Sequence, residues 1–380
     1  MQIVVDTQDF DKYFWVTYWV KSRSTLRQAA HEIAIGQSIG NPNKRSLWET
    51  DQMIEDYCGK ILSNTFLDEH EGLVEIGYPY ALMDWEGDGI SQLMCIVMGG
   101  QMDIDNIEKC HALRIDINSS YRQRYFRGPR YGIDGIRDFV GSYNQPLFGG
   151  IVKPKNGITP SQLLDMTKEM VEGGVHFIKE DEIMSNPSIC PLEERVPLIS
   201  NYLQGKNVVY CFCINGDHNH LMKRAQFVAA NGGNGVHVNV WSGLGAYKSL
   251  RDLDLPLFIH YQKSGDRTFT NPRHDYHISW DVLCYLAGLC GVDFIHAGMW
   301  GGYLSSEDSE LRTTLDILRA GKVMPALSCG MHADLVSPIT ERFGVDWMAN
   351  VGGAIHSDPD GTKAGCRKMR QAVDAAKISD

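Results

Sequence analysis

The chain of 380 residues is too long for one average domain and suits an α/β barrel of about 250 residues plus a smaller partner domain. Hydrophobic residues make up 43% and charged residues 22%, which supplies a sizeable core and excludes global disorder. A net charge of −11 argues against nucleic acid or an anionic membrane as the main partner, although a local lysine cluster can still hold an anionic small molecule.

The N-terminal string MQIVVDTQDFDKYFW carries acids where a signal peptide needs a basic start and an apolar run, and no segment approaches about 18 uninterrupted apolar residues. A cytoplasmic protein that is neither exported nor membrane-spanning is expected. The ten cysteines form no paired CxxC pattern, so reduced, mostly buried thiols are expected in place of a zinc site.

Taken in order, residues 13–20 alternate as a strand, 25–35 read as a helix, 73–80 as a second strand and 90–97 as a mixed helical run. Residues 1–125 thus predict an α+β domain. Gly128-Pro129 marks a linker at 127–131. From Leu147 the pattern changes to short apolar runs separated by amphipathic stretches. Eight strands are predicted, ending at Val152, Lys179, Cys213, Val240, His260, His296, Ser328 and Val351, with helices over 161–172, 221–230, 279–289, 311–320 and 362–376. Eight strand-then-helix units in series predict a (β/α)8 TIM barrel over residues 126–380.

Such barrels carry their active site at the C-terminal strand ends. At the first end, alternation sends Lys153 and Lys155 to one side of Pro154, a pair suited to an anionic substrate or to acid–base work. At the second, Lys179 and Asp181 share a face, Glu180 takes the other, and Glu182 lies just beyond. Three acids beside one lysine need a compensating charge, and a hard cation such as Mg²⁺ fits Asp181 and Glu182, whereas the plainer reading is a solvated loop balanced by Lys179. His260, His296 and Ser328 close strands five to seven. A lone histidine is usually structural; two at equivalent ends of adjacent strands are harder to dismiss. Gly330, Gly352 and Gly353 follow strands seven and eight, where barrels often bind phosphate through backbone N–H groups. His218 and His220 are read as part of a polar loop, since no third metal ligand is evident.

The string FRGPRYGIDGIRDFVGSYNQPLFGGIVKPKNGITPSQLLDMTKEMVEGGVHFIKEDE resembles the first third of the RuBisCO catalytic barrel, and FIHAG, ALSCGMHADLV and ANVGGAIHSDPDG continue the likeness. On these motifs the chain is identified as a member of the RuBisCO superfamily, in its RuBisCO-like branch. The resemblance implies a ferredoxin-like N-terminal domain, carbamylation of Lys179 by CO₂, and Mg²⁺ held by Lys179, Asp181 and Glu182. It implies that Lys153 moves protons at the reacting carbon with Lys155 in support, and that His260 and His296 belong to the site. Lys263 falls where a phosphate-binding arginine is expected, and Ser328, Gly330, Gly352 and Gly353 match positions that hold oxygen and phosphate groups. A homodimer or higher even oligomer follows, because the family completes each barrel site with the N-terminal domain of another subunit.

The departures matter as much. Tyr303 stands where carboxylases place a mobile-loop lysine, Gln262 replaces a catalytic histidine, and Ile151 a threonine. Gly36, Asn41 and Gly100 fall near positions that usually hold Glu, Thr and Asn. The expected activity is therefore enolisation or isomerisation of a ketose or diketo sugar phosphate, not carboxylation. Decarboxylation of a 3-oxo sugar acid or its phosphate is the alternative, and a non-catalytic binding protein the third reading.

Overall fold

The computed structural model describes residues 3–63 and 69–377. The chain folds into two compact units, Met1–Phe126 with Asp266–Leu286, and Arg127–Gly265 with Ala287–Asp380. No helix among the described residues is long and apolar enough to cross a membrane, and none of the ten cysteines is in a disulfide.

The first unit is built on a six-stranded sheet. Tyr13–Ser22 pairs antiparallel with Glu71–Pro79 on one side and Ile107–Asp116 on the other, and its alternating burial puts Phe14, Val16, Tyr18 and Val20 into the core. The segment after the fifth barrel strand adds Tyr276–Ile278 as a parallel edge strand beside Ile107–Asp116, so this unit is not contiguous in sequence. Three residues are too few for periodicity to reveal a strand.

In the second unit eight parallel strands close into a barrel in chain order: Leu147–Ile151, Phe177–Lys179, Val209–Cys213, Gly235–Asn239, Phe258–Gln262, Phe294–Gly298, Met324–Leu327 and Met348–Val351. The helices between them follow local signals. Pro160–Glu172, for example, starts at a capping box in which the Thr159 hydroxyl accepts from the Gln162 N–H and the Gln162 side chain accepts from the Thr159 N–H. His218 and His220 lie in the first turn of the helix His218–Ala230 and not in a loop.

The N-terminal end of the barrel is apolar. Leu147, Phe177, Val209, Phe258, Phe294, Met324 and Met348 form one buried cluster, plugged by Ile136 and Val140 of the helix Gly132–Val140. Because side chains alternate, the inward positions two residues further along bring Lys179 above Phe177, His260 above Phe258, His296 above Phe294 and Asn350 above Met348. An apolar floor thus carries a buried polar layer, and above it the barrel opens at its C-terminal mouth.

Glu180 faces outward from the second strand and is fully buried. Arg195, on the helix Leu192–Leu203, grips it with two bonds, Nε to Oε1 at 2.8 Å and Nη2 to Oε2 at 3.0 Å, and the Cys213 N–H donates to Oε2 at 2.7 Å. Removing one partner of such a pair strands a charge in the interior, so Arg195→Ala is expected to destabilise the protein by about 3–5 kcal/mol. The double change Glu180→Leu with Arg195→Met should recover most of that loss, as read from urea unfolding.

Candidate active site

A cavity of about 410 Å³ opens at the C-terminal mouth of the barrel. It is lined by Lys153, Lys155, Lys179, Asp181, Glu182, His296, Ser328, Gly330, Gly352 and Gly353, which brings together ten of the twelve residues singled out from the sequence. His260 and Lys263 do not line it.

The exclusion of His260 is a correction with a simple cause. The fifth strand continues two residues past the expected end, to Gln262, so His260 sits one layer deeper, fully buried. There its Nδ1 meets the Nδ1 of His237 at 3.2 Å. Burial, with the cation of Lys179 added, pushes both imidazoles well below their ordinary pKa. They form a neutral internal pair, and Gln262 takes the place at the mouth.

The ionic centre is compact. Lys153 Nζ lies 2.6 Å from Asp181 Oδ2, and Lys179 Nζ lies 3.8 Å from Glu182 Oε2 and donates to the Glu180 carbonyl at 3.3 Å. Lys179 is 1% exposed. Burial pushes its amine below the usual lysine range against the opposing pull of Glu182 and Asp181. Burial alone would raise Glu182, but the Lys179 cation and hydrogen bonds hold its carboxyl down at about 2. Gln262 Nε2 donates to Glu182 Oε2 at 3.2 Å and to Ser264 Oγ at 2.7 Å.

On the far wall, the Ser328 hydroxyl sits 2.7 Å from His296 Nε2. Burial, reinforced by Lys263 and Lys179, lowers His296 to about 3, so this imidazole is neutral. Gly302 and Gly330 let the loops after strands six and seven touch: a Cβ on Gly330, whose φ is +103°, would lie 2.8 Å from the Tyr303 backbone nitrogen. Tyr303 stands at the rim, 78% exposed.

Asn350 also lines the cavity and was missed from sequence, as were Ser264 and His332. A polar residue inside the short apolar run MANV was the available signal, because a buried carboxamide needs partners.

The donor set suits a hard cation only in part. Asp181 and Glu182 supply carboxylate oxygens, but among the described residues no group of three His, Cys, Asp or Glu is placed to hold a metal alone. A third anionic oxygen would have to come from elsewhere; Lys179, two residues before Asp181 and 3.8 Å from Glu182 Oε2, lines the same cavity.

Residues 132–380 match the family model described as ribulose bisphosphate carboxylase large chain, catalytic domain. The ribulose bisphosphate carboxylase of Pyrococcus horikoshii is 31% identical over 378 residues, covering 94% of this chain and 85% of that protein. A 2,3-diketo-5-methylthiopentyl-1-phosphate enolase of Geobacillus kaustophilus is 29% identical over 390 residues, covering 94% and 91%. The crystal structure of the octameric Pyrococcus horikoshii enzyme with sulfate superposes with a TM-score of 0.90 at 28% identity, over 98% of this chain and 90% of that one. The family model covers more than half of the chain, and with these matches the chain belongs to the RuBisCO large-chain family.

Proposed function

We propose that this protein is a magnesium-dependent enzyme that takes its substrate through an enolate and does not fix CO₂. The observation that carries the reading is the pairing of an intact lysine–carboxylate centre, Lys153 with Asp181 and Lys179 with Glu182, with altered groups around it, Gln262 and Tyr303. Such a buried cluster of charges is costly to keep without a use.

Lys179, Asp181 and Glu182 would hold the cation once the Lys179 amine has added to CO₂, forming an N–C bond and losing a proton. Burial favours the unprotonated amine that this addition requires. When bound, Mg²⁺ would neutralise negative charge developing on adjacent substrate oxygens. Lys153, 30% exposed at its side chain and lining the cavity, would move a proton at the reacting carbon. Lys155 adds a cation for an anionic group, and the neutral His296 with Ser328 offers hydrogen bonds but no charge.

The leading reaction is enolisation or isomerisation of a ketose or diketo sugar phosphate, in line with the enolase named above. Decarboxylation of a 3-oxo sugar acid is the second reading, and one observation favours it. Gly36, Asn41 and Gly100 line a cavity of about 270 Å³ within the first unit, with Glu32, Asp103 and Asp105 but no lysine. If an oligomer partner's N-terminal unit completes the site, as the resemblance implies, the described lining of that cavity brings no lysine base, and a decarboxylation needs none to begin.

Incubation with Mg²⁺ and bicarbonate in D₂O, followed by NMR over candidate ketose phosphates and 3-oxo sugar acids, separates these reactions. Deuterium entering beside a carbonyl without loss of carbon is the expected result, abolished in Lys179→Ala and Lys153→Met. CO₂ release moves the assignment to the decarboxylase, and fixation of labelled bicarbonate onto ribulose bisphosphate would refute the proposal. Acid unfolding tests the neutral histidine. Since His296 titrates near 3 when folded and near 6.5 when unfolded, its contribution is intact above pH 6.5 and is lost as pH falls from there towards 3, at up to about 1.4 kcal/mol per pH unit. His296→Asn should flatten the acid limb of stability measured by urea unfolding at stepped pH.

A further inference from the structure

Asn350 lies on the eighth strand with its side chain inside the barrel, 1% exposed, and among the described residues neither its Oδ1 nor its Nδ2 has a hydrogen-bond partner. It nevertheless lines the cavity at the mouth. Its placement depends on the first strand: a Cβ on Gly149 would come within 3.2 Å of Asn350 Oδ1 and 2.9 Å of Met348 Sδ, so the glycine leaves the carboxamide its space. Across the barrel Gln262, 3% exposed, gives both its donor bonds to Glu182 and Ser264 while its Oε1 stays unpaired. Three unpaired amide atoms therefore belong to side chains of one cavity.

We infer that Asn350 is a specificity-determining residue that recognises a hydroxyl on the carbon chain of the substrate, at the floor of the cavity; this rests on the reading of that cavity as the substrate site. A buried carboxamide that no protein group pairs is unfavourable, so the site is complementary to a ligand group that both donates and accepts. A hydroxyl is the smallest such group. An alkylthio or other apolar group would leave both amide atoms unpaired, and a phosphate or carboxylate would meet Nδ2 but be repelled by Oδ1. Gln262 Oε1, an acceptor alone, matches a second hydroxyl. The pair points to a polyhydroxylated chain and away from a substrate whose interior end is apolar.

The experiment uses the full-length protein with Mg²⁺ and bicarbonate, and a set of pentulose phosphates each lacking one hydroxyl, with affinities from calorimetry. Loss of one particular hydroxyl is expected to weaken binding to the wild type roughly tenfold, the scale of one lost hydrogen bond. Asn350→Leu should abolish that single discrimination and leave the others; Asn350→Ser, which keeps a donor and an acceptor, should retain part of it and serves if the leucine variant does not fold. Uniform weakening across the set in Asn350→Leu, or a wild type indifferent to every hydroxyl, would overturn the inference, the first outcome assigning Asn350 to a structural water. If no member binds to the wild type or to Lys153→Met, the reading of the cavity as a sugar phosphate site fails, and this inference with it.

Discussion

The Glu180–Arg195 pair sets the face on which the chemistry stands. In a strand, successive side chains go to opposite sides, so Lys179 and Asp181 can both point into the barrel only if the carboxylate between them is accepted on the outside. That outside is not water but the packed layer under the helix Leu192–Leu203, and a lone carboxylate there would be prohibitive. Arg195 supplies a two-pronged partner, the Cys213 N–H ties the same carboxylate to the third strand, and Tyr210 approaches at 3.3 Å. A slip by one residue would put Glu180 beside the neutral histidines and send Lys179 into the helix layer, losing every one of these bonds.

A second consequence of alternation is vertical. The same strands that bury Phe177, Phe258, Phe294 and Met348 in the plugged end present Lys179, His260, His296 and Asn350 one step higher. Water is excluded below, which strengthens each electrostatic interaction above. It also explains why the histidines are neutral: burial and the adjacent Lys179 both act against an imidazolium. Positive charge at the mouth is left to lysines, and an anionic ligand can be drawn locally into a protein whose net charge is −11.

Much of this was legible in the sequence. The eight barrel strands are short apolar runs bounded by polar or glycine-rich segments, and each was found, because a strand covered on both faces leaves that signature. Their ends were less legible. Tyr261 and Gln262 read as the start of a loop, yet the Tyr261 ring packs against Tyr247 and the Gln262 amide is tied to Glu182, so tertiary contacts carry the strand two residues further and displace His260 inward. The strand Tyr276–Ile278 was illegible for a different reason. It owes its conformation to pairing with Ile107–Asp116, a partner more than 160 residues away in sequence, and local pattern holds no trace of that. Asn350 was overlooked because one polar letter in an apolar run says nothing of whether partners exist.

The division of the cavity lining into charged and neutral groups has its own physical logic. Lys153, Lys179, Asp181 and Glu182 form a set whose charges balance one another, so changing any one leaves a buried or half-buried charge uncompensated. Gln262 and Tyr303 stand beside that set and are neutral, and substituting at such positions alters what the cavity recognises without unbalancing it. A site can thus change its substrate far more cheaply than it can change its ionic centre. Selection for a new ligand would act first on groups such as Gln262, Asn350 and Tyr303, whose hydrogen-bonding capacity faces the cavity, while the balanced lysine–carboxylate core stays in place.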